Sequence, residues 1–291
     1  MTQILCIGSV LWDIIGRHDQ EMVAGNDRPG RITRLPGGVA LNIAMTLARL
    51  DLKTVLPSAV GTDEEGHELV RACATMGMDT TQLYRPKDLP TDRYMAIEGA
   101  NGLIAAIADA HSLEAAGSEV LTPLKDGTLG SALKPYSGVI ALDGNLTESL
   151  LTQIASDACF KDADLRIAPA SPGKVMRLMP LLTHPKATIY VNLEEAELLT
   201  QQKLGDAKSG AEALAEKGAT RVLVTDGARQ AAFAESGQIW SATPPKVPQM
   251  RVTGAGDTFM AAHIAAELAG RSPEDALTDG LAAAAHYVSG L

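Results

Sequence analysis

The segment Arg251–Met260, RVTGAGDTFM, places Gly254 and Gly256 around Ala255, follows them with Asp257 and then begins an apolar run of helical character. Glycines leave the peptide N–H groups uncovered, and the first-turn donors of a helix have no partner inside the helix. Such an end is an anion site, helped by the positive pole of the helix dipole. Asp257 inside it has two readings. It could cap the helix, or it could accept the proton of an attacking hydroxyl while the amides of Gly254, Ala255 and Gly256 hold the charge on a transferred phosphoryl group. Phosphoryl transfer needs little more than such positioning and charge stabilisation.

Other nucleotide motifs are absent. The only Gly-Lys pair, Gly173-Lys174, lacks both the earlier glycine and the hydroxyl residue of a P-loop. Phe259 stands where a dinucleotide fingerprint would need its third glycine, and the segment lies near the end of the chain rather than after the first strand. The remaining polar candidates read as structural: His18, Asp19 and Glu21 match no metal spacing, and His263 lies off the helical face of Asp257. Trp12 either shapes a pocket beside Asp13 or fills core.

Composition narrows the partner. A formal net charge of −10 over 291 residues, with no basic run, speaks against nucleic acid. Cys6, Cys73 and Cys159 are far apart and in no paired motif, so reduced thiols are expected rather than a disulfide framework or zinc ribbon. The N-terminus has no basic region ahead of its short apolar run, and no stretch of about 18 apolar residues occurs, so no membrane is implied and a soluble, cytoplasmic protein is expected.

The elements that must position these residues alternate. ILCIGSV reads as a buried strand, and GGVALNIAMTLARL carries Val39, Ile43, Leu47 and Leu50 at helical spacing. TVLPSAVG reads as a strand, and Thr62 with Glu65 forms a capping-box signal for the helix after it. SGVIALDG, LRIAPA, TIYVN and RVLVTDG follow as strands separated by helical segments, which predicts a mainly parallel sheet covered on both faces. Two regions break this rhythm. Residues 14–36 are polar with β-like pieces, and residues 91–111 hold a hairpin signal at Ala100-Asn101-Gly102; together they predict a small second sheet, a lid or an interface. A further hairpin is expected at Ser236-Gly237.

These motifs together resemble the ribokinase/PfkB carbohydrate kinase family. VTGAGDTFMAA is similar to its C-terminal signature and PGGVALNIAMTLARL to its Gly-Gly signature, while GSVLWD, VGTDEEG, VNLEEAE and VTDGARQAA fall in the order the family shows, across essentially the whole chain. The resemblance implies a ribokinase-like three-layer α/β/α kinase domain (1–13, 37–90 and 112–291) with a mainly parallel central sheet, plus a β lid (14–36 and 91–111). It implies Asp257 as catalytic base, with Gly254, Ala255 and Gly256 as its anion hole. Asp13, Gly37, Gly38, Asn42, Asn26 and Asn145 would contact the substrate. Lys174, Asn192, Thr225, Gly227, Ala282 and His286 would contact the nucleotide. Asn192 and Glu195 would organise magnesium, largely through water, although Glu194, Glu195 and Glu197 alone read as a solvated acidic helix face. ATP and Mg2+ are the implied cofactors, with room for a monovalent cation such as K+.

Within the family, NDRPGRITRLPGGVALNIA, ALDGNLTESLL and ASPGKVMRL resemble the pseudouridine kinases, with two departures: Arg28 interrupts the first segment, and Ala168 stands where an aspartate is usual. The implied acceptor is the 5′-hydroxyl of a ribosyl ring. Kinases of ribose, adenosine or a keto-sugar share every phosphotransfer residue, and a catalytically silent nucleoside-binding protein would keep the pocket. A homodimer formed through the lid is expected, since an open sheet calls for a partner.

Overall fold

The structure, a computed structural model, describes residues 3–290. The chain opens with β1 (Ile4–Ile7), β2 (Leu11–Arg17), β3 (Arg31–Gly37), α1 (Val39–Arg49), β4 (Thr54–Val55) and α2 (Glu64–Thr75). It continues with β5 (Arg93–Gly99), β6 (Gly102–Asp109), α3 (His111–Ala116), β7 (Val139–Asp143), α4 (Glu148–Ser156), β8 (Asp164–Ala168) and α5 (Met179–Leu182). After β9 (Ala187–Asn192), α6 (Leu193–Thr200), α7 (Ala207–Glu216) and β10 (Arg221–Thr225), it ends with the β11 (Ala231–Glu235) and β12 (Gln238–Ala242) hairpin, α8 (Ala255–Leu268) and α9 (Pro273–Val288).

The central sheet has 8 strands in the order β12-β11-β10-β9-β8-β7-β1-β4, parallel except at the β11 and β12 edge. Its strands are apolar on both faces because both are covered. Leu5, Ile7, Ile140 and Leu142 pack with α4, α6 and α7, whereas Ile4, Cys6, Val139 and Ala141 pack with α1, α2, α8 and α9. This period-two division produces the three-layer architecture expected from the alternating segments. The β11–β12 turn at Ser236 and Gly237 has positive φ at both positions, as a tight hairpin requires. All three cysteines are free and buried, and among the described residues no helix is long and apolar enough to cross a membrane.

A second sheet of 4 strands, β3-β2-β5-β6, stands apart from the first. It begins at Leu11, inside the stretch assigned above to the main domain, so Asp13 lies within a strand of this sheet rather than in a turn after β1. Register places Asp13 beside Leu35 and Tyr94 on one face and Ile14 beside Met95 on the other.

Two local expectations change. TVLPSAVG forms a strand only at Thr54 and Val55; beyond Pro57, which has no N–H for a ladder, an isolated bridge from Ala59 to Tyr84 follows. The α2 cap is Asp63, not Thr62: its Oδ1 accepts from Gly66 N at 2.8 Å and its Oδ2 from Thr91 N at 2.9 Å, and Thr91 Oγ1 also donates to it. Thr91 is brought there by the connection into β5, so a tertiary partner selected the cap. Burial opposes ionisation of Asp63, but the Thr91 and Gly66 donors prevail and lower its pKa. Asp63→Ala should therefore cost about 2 kcal/mol, read as a lower midpoint in urea at neutral pH. Because the folded-state pKa is depressed, the ionisation-linked part of this contribution is full above the unfolded value and should be lost as pH falls below it, through the folded value.

Candidate active site

The carboxyl ends of β1, β7, β8, β9 and β10 share one edge of the central sheet. Strand order reverses between the parallel neighbours β1 and β7, with β4 added on one side of β1 and β7 to β10 on the other, and ligands of open α/β sheets bind in the crevice such a reversal creates. The side chain filling that crevice is Asp143, the last residue of β7 and wholly buried. Its Oδ2 accepts from Ser9 N at 2.8 Å, Ser9 Oγ at 2.9 Å and Ala40 N at 3.0 Å, and its Oδ1 accepts from Asn145 N at 2.7 Å. Burial raises its pKa against the pull of these donors. Ser9 completes the junction, accepting Val39 N on its hydroxyl and Leu41 N on its carbonyl. The first turn of α1 is thus satisfied from β1 and β7, and its N-cap, Gly38, contributes no side chain. Asp143 and Ser9 were not among the candidates read from the sequence. The available signal was a charged residue closing the otherwise apolar strand VIALD.

The glycines have separate tasks. A Cβ at Gly37 would overlap the Asp13 carboxylate, and one at Gly38, at φ 96°, would press on the Ser9 carbonyl. Asp13, partly buried and without a hydrogen-bond partner among the described residues, is pushed up to about 6 by burial.

Asp257 occupies the first turn of α8, whose N-cap Gly254 has φ 89° and no capping side chain. Asn42, one turn into α1, donates from Nδ2 to Asp257 Oδ2 at 2.9 Å and so aims the carboxylate. The amides read above as an anion site are redistributed. Ala255 N donates to Val252 O at 3.0 Å, which leaves Gly256 N and Asp257 N without a partner among the described residues. Burial pushes Asp257 up to about 7; the Asn42 bond opposes this, while the charges of Asp143, Asp13 and Glu195 reinforce it. A carboxylate at that pKa, beside open amides, can take a proton from a hydroxyl and stabilise an anion next to it.

Lys174 donates to Asn145 Oδ1, and Asn145 Nδ2 donates to Ser9 Oγ at 2.9 Å, so these two residues, assigned to nucleotide and substrate respectively, meet at the Asp143 junction. Ala168 is the register partner of Asp143, so an aspartate at 168 would bring a second carboxylate beside a buried one.

Asn192 caps α6, accepting Glu195 N at 2.9 Å, while Glu195 Oε2 accepts Asn192 N at 2.9 Å. Of the three glutamates, Glu194 is exposed and Glu197 pairs with Lys203, but Glu195 is only 6% exposed and is pushed up to about 7 by burial. Among the described residues no three His, Cys, Asp or Glu side chains converge to hold a metal ion by themselves. The donor set is one buried carboxylate with an amide oxygen already used as a cap. That fits magnesium retained through water, because magnesium keeps several waters.

Thr225 ends β10, and Gly227, at φ 56°, turns the chain after it. Ala282 and His286 lie one turn apart on the exposed side of α9. Asn26 is exposed in the β2–β3 connection, and among the described residues its side chain bonds to none of the site. Trp12 is packing rather than pocket. It points away from Asp13, donates to Glu65 O at 3.0 Å and lies under the Arg34 guanidinium. His263 is fully buried against Tyr190 Oη, with burial taking its pKa down to about 4, so it is a neutral packing group.

Residues 1–290 match the family model described as pfkB family carbohydrate kinase. Pseudouridine kinase of Escherichia coli (strain K12) is 29% identical over 267 residues, covering 89% of this chain and 81% of that protein. Ribokinase of Haemophilus influenzae is 30% identical over 264 residues, covering 87% and 81%. The structure of Arabidopsis thaliana ribokinase complexed with ribose and ATP superposes with a TM-score of 0.75 at 21% identity, covering 99% of this chain and 92% of that one, a likeness of fold.

A carboxyl whose folded-state pKa is raised stabilises the fold at low pH, and that contribution is lost as pH rises through the folded value. Asp257→Asn, which keeps a partner for Asn42, should therefore raise the melting temperature. The gain should grow from near pH 3.8 upward and level off above about 7, as paired thermal melts across that range would show.

Proposed function

The chain belongs to the pfkB family of carbohydrate kinases, and from that premise we propose that it transfers the γ-phosphate of ATP to the 5′-hydroxyl of a ribosyl ring, with pseudouridine as the acceptor. The observation that carries the phosphotransfer reading is Asp257, aimed by Asn42 and set beside the open amides of Gly256 and Asp257.

Asp13 accepts hydrogen bonds from two neighbouring sugar hydroxyls, a task suited to an acceptor with several lone pairs. This holds the ring with its primary hydroxyl towards Asp257. Asp257 takes the hydroxyl proton as the oxygen attacks phosphorus; the bond between the γ-phosphorus and the bridging oxygen breaks, and ADP leaves with that electron pair. The Gly256 and Asp257 amides stabilise the phosphoryl charge during transfer. Magnesium, when bound with ATP, neutralises phosphate charge, and Asn192 and Glu195 would hold it through water. Lys174, Thr225, Gly227, Ala282 and His286 border the nucleotide side.

A nucleoside acceptor is favoured by the inner face of the second sheet. There Tyr94 flanks Asp13, and Ala96, Ala106 and Ala108 leave room for a base beside the ribose. The likeness to pseudouridine kinase points the same way. On the outer face, Ile14, Met95 and Ile107 form one cross-strand row and Ile32, Ile97 and Ala105 another, with Ile32 80% and Ile107 69% exposed. A second copy of the chain is the partner we assign to this face, making the protein a homodimer.

ADP release is to be followed with Mg-ATP and pseudouridine, uridine, adenosine, ribose or a keto-sugar. Pseudouridine should be turned over fastest, and Asp257→Asn should abolish turnover; equal or better turnover of ribose would move the specificity to the free sugar. Since the base acts ionised, kcat/KM should fall as pH drops below about 7. Ile107→Glu should halve the mass measured by light scattering, and an unchanged mass would place the interface elsewhere.

A further inference from the structure

The loop that carries the anion site is gripped from two sides at one residue, Thr253. From the α9 side, Tyr287 Oη donates to Thr253 O at 2.8 Å, and a Cβ at Gly254 would stand 2.7 Å from that same hydroxyl. Arg251 reinforces this brace. Its guanidinium lies 3.8 Å from the centre of the Tyr287 ring, its Nε donates to Tyr287 O at 2.8 Å, and Met250 N donates to Val288 O at 2.9 Å. From the opposite side, Thr253 Oγ1 donates to Glu98 Oε1 at 3.2 Å. Glu98 belongs to β5 of the second sheet, where its other oxygen is held by Arg17 of β2, with Arg17 Nε at 2.9 Å. Among the described residues this is the one hydrogen bond between the second sheet and residues 250–258. The backbone of Thr253 is thus fixed to the main domain and its side chain to the sheet that covers the acceptor, one residue before the N-cap of the helix bearing Asp257.

We propose that Thr253 is a positioning residue that couples the second sheet to the anion site. With the sheet seated, Glu98 and Tyr287 hold Thr253 between them and set the geometry of Gly254, Gly256 and the Asp257 amide. With the sheet displaced, the hydroxyl is released and the loop relaxes, so phosphoryl transfer waits until the acceptor is enclosed. The kinetic consequence rests on the kinase reading; the mechanical link does not.

Amide hydrogen exchange over residues 250–258 tests the link in the full-length protein. Thr253→Val and Glu98→Ala should each speed exchange there about five-fold, the net worth of one hydrogen bond, with the rest of the chain unaffected. The double variant should go no further than either single change, and Thr253→Ser, which restores the hydroxyl, should return to the parent rate. Unchanged exchange, additive effects, failure of the serine to rescue, or faster exchange throughout the chain would each overturn the proposal. In turnover assays Thr253→Val should lower kcat about ten-fold and raise the share of ATP hydrolysed without acceptor, and Thr253→Ser should reverse both. If the parent protein shows no Asp257-dependent turnover, the kinase reading fails while the exchange result still decides the coupling.

Discussion

The buried carboxylate of Asp143 is the constraint from which the site is built. Polar groups without solvent are costly unless hydrogen-bonded, and Asp143 accepts from four donors in three separate segments. Through them it locks the turn after β1, the N-terminus of α1 and the loop after β7 into one junction. Truncating it would leave the Ser9, Ala40 and Asn145 amides unpaired, each costing about 1–3 kcal/mol. The consequences extend outward. The N-cap position can be a glycine with no capping side chain because α1 is capped from elsewhere, Asn42 is delivered to Asp257, and Asn145 is presented to Lys174.

Around that junction the fold accumulates negative charge. Asp13 and Glu195 join Asp143 in raising the proton affinity of Asp257, although Asp257 lies at a helix N-terminus, where the dipole alone would lower it. Burial outweighs the dipole. A carboxylate of raised proton affinity and amides without a partner among the described residues thereby coexist within one helical turn, because the carboxylate faces α1 through Asn42 while the amides belong to the backbone beside it.

Much of this was legible before any coordinates. The alternation of apolar runs implied a covered parallel sheet, and Gly-Ala-Gly-Asp ahead of an apolar helix implied uncovered amides at a helix start with a carboxylate among them. Both depend on short-range pattern. Where reading failed, hydrogen bonds that the motif does not record decided. Thr62 with Glu65 matched a capping box, but Asp63 caps α2 because Thr91 reaches it; Ala255 looked like part of the anion site, but its amide turns back to Val252. Asn26, singled out by motif, bonds to none of the site, whereas Asp143 carries no local signature beyond a charge at the end of a buried strand.

By itself, then, the sequence determined the layer architecture and which residue types could perform proton and phosphoryl chemistry, because periodicity and helix-end chemistry are properties of neighbouring residues. Only the tertiary structure decided which amides remain open, which carboxylates feel one another, and that Thr253 stands between Glu98 and Tyr287. The last two depend on pairs far apart in the chain, whose meeting is set by strand order and helix packing, while the open amides follow from the path of the loop, where Ala255 N turns back to Val252 O; no residue pattern records either.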